Sequence, residues 1–516
     1  MVERFVETRS LLLALAWTLA TAGGCSIRYD ADDLKGDGDG GIQVEPDADP
    51  DALHVQQVTP QLVFEGQGSA LDPADQDRVR AVPVVLLGAN FTADMTVSVA
   101  GEAFSGGDVP FTVSGDGHWA AFELRLPVDE DRGAGSDLPL SIAVSKGDEL
   151  SEGGLVRRML AELDRGVGGS IETVEESGVS LYSRVDLHGD VVAGGVRPVR
   201  MVGYAGIRID GRVSAEGSGQ TAGVGGCSGA AAVEDAGCGA GSGRRGEDAL
   251  LDTEPGGGGG GAFGGADAQS GGGGAQGGEP GEPTAAPSLV PMPPASQSPA
   301  GGGGGGRALG LVGGHFGGGS GGILELTSPA TIQLDGIVSV DGASPGPCDG
   351  NGGGGGGGGS GGAILLRAGA GVTSGTGATL QARGGVGSTV QCSTPGGDGG
   401  VGLIRVDQPD EMGFETEPAA LPGPALVVDN QAIVTEGPDF PVMVRGKPGA
   451  SYNVRVTGFD RESNAAVVAA QRVATPNGVG AAMLPLWAGH NEICVEVDAD
   501  TSYTESQNCL TVAYIP

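Results

Sequence analysis

The stretch DGNGGGGGGGGSGGAILLRAGAG, from Asp349 to Gly371, decides the fold because eight consecutive glycines lead directly into an apolar run. Such a tract is either a flexible tether or a segment packed so closely that no side chain fits. Packing is favoured because GGGSGGILEL (317–326) matches GGGSGGAILLRA (357–368), and GGDGGVGLIRVD (396–407) is a looser third copy. A tether would not keep this register. We expect ordered glycine tracts with positive φ angles and close backbone contacts, each leading into a strand.

A second repeat has the form apolar-x-apolar-x-Gly, written twice in succession. It begins with VDLHGDVVAGG at Val185, IRIDGRVSAEG at Ile207, IQLDGIVSVDG at Ile332 and, with two extra residues, VTSGTGATLQARG at Val372. The first two starts are 22 residues apart (207 − 185), about one turn of a parallel β-helix. The repeats therefore predict a glycine-rich parallel β-helix, or β-solenoid, over residues 180–407.

The spacing of 125 residues between the second and third copies (332 − 207) indicates a large insertion between turns of this β-helix. Residues 218–316 are predicted to be an inserted loop, because EPGEPTAAPSLVPMPPASQSPA (279–300) is proline-rich and lacks apolar periodicity. The repeats resemble glycine-rich β-helix-like repeats of surface proteins from myxobacteria and related bacteria. That resemblance implies a scaffold without a known active site.

Strands with period-two alternation lie on both sides of the repeats, which makes the predicted fold class all-β. Over residues 57–150, MTVSVAG, FELRLP and LPLSIAVSKG alternate well, as FPVMVRG, SYNVRVTGFD and NEICVEVDAD do over 423–516. Each region predicts a β-sandwich. Residues 151–183 are left open, because LVRRMLAELD fits either an amphipathic helix or a strand.

The first of these regions resembles the TIG type of immunoglobulin-like domain. The resemblance rests on VVLLGANFTADMTVSVAG (84–101) and on Leu126-Pro127 at a strand end. LWAGHNEICVEVDAD (486–500) is similar to the late strands of bacterial immunoglobulin-like domains. The resemblance implies two immunoglobulin-like sandwiches, acting as spacers or binding modules, on either side of the β-helix.

Residues 1–25 have the pattern of a secretory signal, with arginines before an apolar run that is too short to span a bilayer. Ala22-Gly23-Gly24-Cys25 resembles a bacterial lipobox, although Ala22 stands where that motif usually has leucine. The resemblance implies lipidation of Cys25 and, with Ser26 following, an outer-membrane anchor; an ordinary signal peptide is the alternative. Residues 26–56 are rich in Asp, Gly and Pro and are predicted to be an acidic tether.

The remaining six cysteines are consistent with an exported protein, because their even number suits an oxidising compartment. Pairing of sequence neighbours predicts three local disulfides, Cys227–Cys238, Cys348–Cys392 and Cys494–Cys509. None has the CxxC spacing of a zinc site, and we predict no metal and no cofactor.

The formal net charge of −37 argues against two partner classes. Nucleic acid and anionic lipid surfaces both require clustered Lys and Arg. The predicted membrane partner is therefore reached through the N-terminal lipid alone, and the other candidate partners are polysaccharides and envelope proteins.

Patterns typical of catalysis are weak. GxSxG occurs at Ser320 and Ser360, but glycine precedes each serine and a strand follows, the reverse of a nucleophile elbow. The carboxylates of the repeats have two interpretations: turn residues before glycine, or a carbohydrate-cleaving groove of paired acids. The acids concerned are Asp186, Asp210, Asp335 and Asp341. Trp119 and Trp487 could stack on sugars, although core or interdomain contact is the simpler expectation.

The sequence thus predicts a non-enzymatic cell-surface lipoprotein, a structural or adhesive display scaffold. The alternative is a carbohydrate-active β-helix enzyme or a glycan-binding module. A third possibility, a periplasmic subunit of an export complex, has no positive support in the sequence.

Overall fold

The computed structural model is nearly all β, with a single 3₁₀ helix among the described residues, at Pro73–Arg78. The structure describes residues 52–102, 104–129, 135–172, 179–231, 236–239, 241–249, 254–263, 268–272, 279, 299, 301–302, 314–348, 352–427, 433–460, 465–497 and 508–516. Cys25, the signal segment and most of the predicted tether lie outside these residues. Within them, no helix is long and apolar enough to cross a membrane.

The N-terminal region consists of two sheets around one core. The sheets have the orders β1-β3-β7-β6 and β2-β9-β8-β4-β5. The strands are β1 (His54–Thr59), β2 (Leu62–Phe64), β3 (Val82–Ala89), β4 (Thr96–Gly101), β5 (Phe104–Val109), β6 (Phe111–Val113), β7 (Trp119–Leu124), β8 (Asp137–Lys146) and β9 (Glu149–Arg158). Alternating residues such as Val97, Phe122 and Ile142 are buried between the sheets, as their period of two predicts.

The N-terminal region extends beyond the predicted boundary at residue 150. Strand β9 pairs with all of β8 and ends at Arg158. Gly153 and Gly154 interrupt the apolar alternation of β9, and the sequence pattern therefore does not predict this strand. The open question about residues 151–183 is therefore answered by strands rather than by a helix.

The central region contains two parallel sheets between which the chain passes back and forth. The larger has the order β10-β13-β15-β18-β21-β23, with β11, β17 and β20 paired beside this path, and the smaller has the order β12-β14-β16-β19-β22-β24. The strands are β10 (Glu162–Arg165), β11 (Gly169–Ile171), β12 (Ser180–Tyr182), β13 (Arg184–Ala193), β14 (Val199–Gly203), β15 (Ile207–Ser214), β16 (Ile323–Ser328), β17 (Thr331–Leu334), β18 (Ile337–Ser339), β19 (Ala363–Ala368), β20 (Gly371–Ser374), β21 (Thr379–Gln381), β22 (Leu403–Asp407), β23 (Glu415–Glu417) and β24 (Leu421–Pro422). The parallel strands thus begin before the predicted start at 180 and end after 407, because the first and last strands are too short to show a period.

The register of the parallel sheets follows both sequence repeats. Ile207 pairs with Val185 on one side and with Ile332 on the other, and Ile332 pairs with Val372. In the smaller sheet, Ala363 pairs with Ile323 and with Leu403, at the predicted shift of 40 residues. The alignment of the repeats is confirmed. Inward residues of both sheets form one continuous core.

The glycine tracts form a third layer held by backbone hydrogen bonds. Segment 354–362 bonds with several neighbouring segments, and within each set the bonded residues recur every third position. Gly355, Gly358 and Gly361 donate to Thr394, Gly397 and Gly400; His315, Gly318 and Gly321 donate to Gly354, Gly357 and Ser360; Gly258 and Gly261 donate to Gly355 and Gly358. A three-residue period with bonds in several directions is typical of the polyproline II conformation, whereas a sheet strand bonds to two neighbours.

Glycine is needed in this layer because the backbones lie too close for a side chain. A Cβ on Gly321 would lie 1.8 Å from the carbonyl oxygen of Val340, and a Cβ on Gly361 would lie 2.2 Å from that of Ala382. Both φ angles lie outside the left-handed region. The expected close contact is therefore observed, but the expected positive φ is wrong for these two glycines.

The described part of the insertion 218–316 contains no strand, and its glycine tract is held by backbone hydrogen bonds. Its glycines 256–261 hydrogen-bond with the tracts on both sides: Gly258 donates to Gly355 and accepts from Gly397. Apolar periodicity does not reveal this order, because the bonds that hold the segment join backbone atoms of glycines. The proline-rich part, except Glu279 and residue 299, lies outside the described residues.

The C-terminal region again has two sheets, β25-β27-β30 and β26-β32-β31-β28-β29. The strands are β25 (Ala425–Val427), β26 (Val434–Thr435), β27 (Asp439–Arg445), β28 (Ala450–Asp460), β29 (Ala465–Thr475), β30 (Val479–Pro485), β31 (Gly489–Val497) and β32 (Asn508–Tyr514). Val454, Ile493 and Val512 are buried in its core.

The N-terminal and C-terminal regions pack against each other through an apolar interface. Trp119 and Leu87 contact Ile515 and neighbouring residues. His490 is half-buried here, and the loss of hydration at its ring lowers the ring's pKa to about 4. The ring is therefore neutral near pH 7. Trp119 is thus buried in a contact between regions and does not offer its face to a sugar.

Three disulfides link cysteines that are neighbours in the sequence. They are Cys227–Cys238, Cys348–Cys392 and Cys494–Cys509. The first two lie beside the glycine layer, where the N–H of Cys227 donates to the Ser320 hydroxyl at 2.7 Å. The third joins β31 to β32, in which its cysteines are register partners. Disulfides are compatible with an exported protein.

Candidate functional site

The outer face of the larger parallel sheet is the candidate site, because other chain segments cover the smaller sheet. The ring of Phe64 stacks on Tyr204 with 5.0 Å between centroids. Phe263 packs on Ile323 and its neighbours, and Gly423 lies directly over Asp407. The larger sheet instead presents exposed or half-buried polar side chains from successive strands. We call this surface the polar face; its residues are Asp164, Asp186, His188, Asp190, Arg208, Asp210, Arg212, Gln333 and Asp335.

Parallel pairing sets the polar side chains in rows across the strands. Asp164, Asp186, Arg208 and Gln333 are successive register partners in one row. Adjacent strands are about 4.8 Å apart. The row therefore places a carboxylate, a second carboxylate, a guanidinium and an amide at a regular spacing on one surface.

His188 lies next to the two carboxylates at the start of this row. Its Nδ1 is 3.3 Å from Asp164 Oδ1 and 3.9 Å from Asp186 Oδ1. The imidazole is about half exposed. The imidazole thus lies beside two carboxylates that belong to neighbouring strands.

The second row contains the acids that precede glycine in the repeats. Asp210 is the register partner of His188, and the N–H of Asp335 donates to Ile209 in the next strand. Gly211 follows Asp210 with φ +140°, and a Cβ there would lie 2.3 Å from Gly189 O. Strand β15 runs through Gly211 without a break, and alternation leaves Asp210 exposed and Asp335 half-buried on the same face.

Asp341 lies at the corner between the larger sheet and the glycine layer. Loss of hydration raises the pKa of its carboxyl, and the negative charge of Glu216 acts in the same direction. The N–H of Arg383, at 2.7 Å from Oδ1, opposes this shift. A raised carboxyl pKa beside a second acid is a feature of general acids, so Asp341 is the residue that best fits the carbohydrate-active alternative.

The four acids named from the sequence do not converge on one point. Asp210 and Asp335 share a row, Asp186 belongs to the neighbouring row and Asp341 lies at the corner. What the face offers is a regular array of carboxylates and guanidinium groups. Such an array can form multiple hydrogen bonds with a repetitive polar polymer.

The serines of the GxSxG matches are fully buried in the glycine layer. The Ser320 hydroxyl donates to Gly321 O at 3.1 Å and accepts from Cys227 N–H. A nucleophile elbow instead exposes its hydroxyl. The serine therefore has a structural role, tying the first disulfide to the tract.

Among the described residues, the potential ligand atoms of Glu492, Cys494 and Cys509 lie close enough together for a metal ion. The two cysteines are joined in a disulfide and offer no thiolate. This group does not fit a metal ion.

A buried charged cluster on the outer face of the smaller sheet was missed by sequence reasoning. Arg405 donates to Asp407 through Nε and Nη2, each at 2.6 Å, and Arg367 Nη1 lies 2.9 Å from Glu325 Oε1. The residues alternate with core residues, a pattern that predicts exposure. All four are nevertheless buried; the chain at Gly423, which leads into the C-terminal region, lies over Arg405 and Asp407.

His188 and Asp164 were also not singled out from the sequence, although both alternate with buried residues. Only the register between β10 and β13 brings them together. Their positions, 24 residues apart, correspond to one repeat plus a two-residue offset (188 − 164 = 22 + 2). That spacing is the signal that would have found them.

No family model and no curated protein matches the chain. Among solved structures, the chain is similar to the solution structure of the TIG domain from human nuclear factor of activated T-cells, cytoplasmic 4. The identity is 15%, the match covers 22% of this chain and 93% of that one, and the TM-score is 0.16. At this TM-score the likeness carries no argument about function. The chain is a nearly all-β protein with several parallel sheets.

Proposed function

We propose that the chain is a non-enzymatic, surface-anchored lipoprotein that displays the polar face as a rigid binding or structural surface. In this proposal the central region is a β-helix between two immunoglobulin-like sandwiches. The lipid on Cys25 and the acidic tether hold it at the outer membrane. One observation carries the proposal: stacked strands repeat outward polar side chains across one broad face, while the remaining faces of the two sheets are packed.

The rigidity that a display surface needs is supported by three features. Backbone hydrogen bonds join the described segments of the glycine layer, and two disulfides cross-link the chain beside it. The N-terminal and C-terminal regions also pack against each other. Together these features hold the polar face at fixed spacing. A regular array suits a repetitive partner such as a polysaccharide, or an envelope protein that matches it.

The second candidate function is carbohydrate cleavage, favoured by the raised pKa of Asp341 beside Glu216. Paired acids in glycosidases converge on one bond. The acids of the polar face are instead distributed along rows, which favours binding over cleavage.

The anchor is tested with a Cys25→Ala variant expressed in a bacterium with two membranes. We expect the wild-type chain to pellet with outer membranes and the variant to remain in the soluble fraction, because the thioether-linked lipid is lost. Ser26→Ala is the matched control and should still pellet. Membrane association of Cys25→Ala at the wild-type level would contradict the lipoprotein assignment.

A further inference from the structure

Strand β29 is an open edge of the five-stranded sheet in the C-terminal region. It pairs along its whole length with β28, from Ala450↔Thr475 to Asp460↔Ala465, and it is the last strand in the sheet order. Within the described part of the chain, no strand pairs with its other edge. An open edge presents a row of backbone donors and acceptors that can pair with another strand.

The first six residues of β29 lack the features that usually protect such an edge. Residues 465–470 read AAVVAA, without charge, proline or glycine. Natural edge strands are commonly blunted by lysine, proline or a bulge, and the pairing of β28 with β29 shows no register shift. Val468 is 57% exposed although it is β-branched and apolar.

The composition of this edge favours a second copy of the same chain as its partner. A chain with a net charge of −37 repels its copies over most of its surface. Residues 465–470 carry no charge, so two copies can approach here without bringing like charges opposite each other. The nearest charged residue along the strand is Arg472.

Symmetry restricts how two copies can pair at this edge. A two-fold axis perpendicular to the sheet keeps each side chain on its own face, so opposite residues must have the same parity. An axis at Val468 places Val468 opposite its copy, Ala466 opposite Ala470 and Val467 opposite Ala469. All these side chains are small and apolar, and the contact is self-complementary, as a two-fold interface requires.

We propose that the chain forms a two-fold dimer in which β29 pairs antiparallel with β29 of a second copy about Val468. The two five-stranded sheets then join into one sheet of ten strands (5 + 5). The exposed Val468 side chain is covered by the corresponding valine of the partner. The polar faces of the two copies are thereby presented in a fixed relation.

The test is sedimentation velocity of residues 26–516, which include all residues that the structure describes, at increasing concentration. We expect the wild-type chain to sediment at twice the monomer mass. Val468→Lys should sediment at the monomer mass, because the two lysine charges would face and repel each other at the axis. Val192→Lys is the matched control, since Val192 is 54% exposed on another strand. It should remain dimeric.

A second variant keeps the test decisive if Val468→Lys folds poorly. Opposite Cβ atoms of antiparallel strands are about 4.5–5.5 Å apart, so Val468→Cys should form a covalent dimer under oxidising conditions, whereas Val192→Cys should not. A wild-type chain that remains monomeric, a folded Val468→Lys that stays dimeric, or a Val468→Cys dimer that does not cross-link would each overturn the proposal.

Discussion

Replacing Gly321 by alanine is expected to destabilise the protein by about 3 kcal/mol or more, or to prevent folding. A Cβ at this position would lie 1.8 Å from Val340 O and 2.6 Å from Gly362 N. Those two atoms are themselves joined by a 2.8 Å hydrogen bond. The methyl group would therefore overlap the atoms of a backbone hydrogen bond. Because these atoms are backbone, no side-chain rotation can relieve the clash. Differential scanning calorimetry should show a lower unfolding temperature.

Gly346 provides the matched control for this prediction. It lies near the same layer, and a Cβ there would have no heavy atom within 4 Å. Gly346→Ala should change the free energy of unfolding by less than about 0.5 kcal/mol. Equal unfolding temperatures for Gly321→Ala, Gly346→Ala and the wild type would show that the glycine tracts are not packed backbone to backbone.

Asp407→Ala is expected to lower the free energy of unfolding by about 3–5 kcal/mol, because the buried Arg405 loses the carboxylate that it pairs with. Asp407 is fully buried and accepts two hydrogen bonds from Arg405, and Arg367 Nε lies 3.7 Å away. The chain at Gly423 covers the pair. The C-terminal region should therefore loosen first, which limited proteolysis between residues 408 and 424 would detect together with a lower unfolding temperature.

The control for Asp407 is an exposed pair on the same side of the molecule. Asp410 contacts Arg78, with side-chain exposures of 54% and 38%. Asp410→Ala should lower the free energy of unfolding by less than about 1 kcal/mol. A double variant, Arg405→Met with Asp407→Leu, should recover much of the lost stability, since it removes both buried charges. If Asp407→Ala is as stable as Asp410→Ala, the buried ion pair does not hold the C-terminal region in place.

The repeats could be read from the sequence because parallel stacking imposes one register on every strand. Val185, Ile207, Ile332 and Val372 align in the sequence and are register partners in the sheet. The buried positions of the flanking strands follow equally from their alternation, as for Val97 and Ile142. In both cases the local pattern and the packing have the same period.

The order of the inserted glycine tract, the buried ion pair and the contact of His188 with Asp164 could not be predicted, because each depends on contacts between distant segments. Glycines 256–261 are ordered through backbone bonds to the tracts around them, and backbone bonds leave no side-chain pattern. Arg405 and Asp407 alternate with core residues in β22, which predicts exposure, yet both are buried beneath the chain at Gly423. His188 meets Asp164 only through the register of two strands. Periodicity shows which face a side chain occupies, but it does not show what covers that face.

If the polar face is a binding or structural surface, the protein should retain a polysaccharide or ignore it, but should never cleave it. Purified residues 26–516 are incubated with a panel of bacterial and environmental polysaccharides, and both retention and the release of new reducing or unsaturated ends are recorded. We expect no new ends with any polymer; retention would then identify an adhesive surface, and no retention would favour a scaffold for envelope proteins. Release of new ends that is lost in Asp341→Asn would overturn the proposed function and establish carbohydrate cleavage.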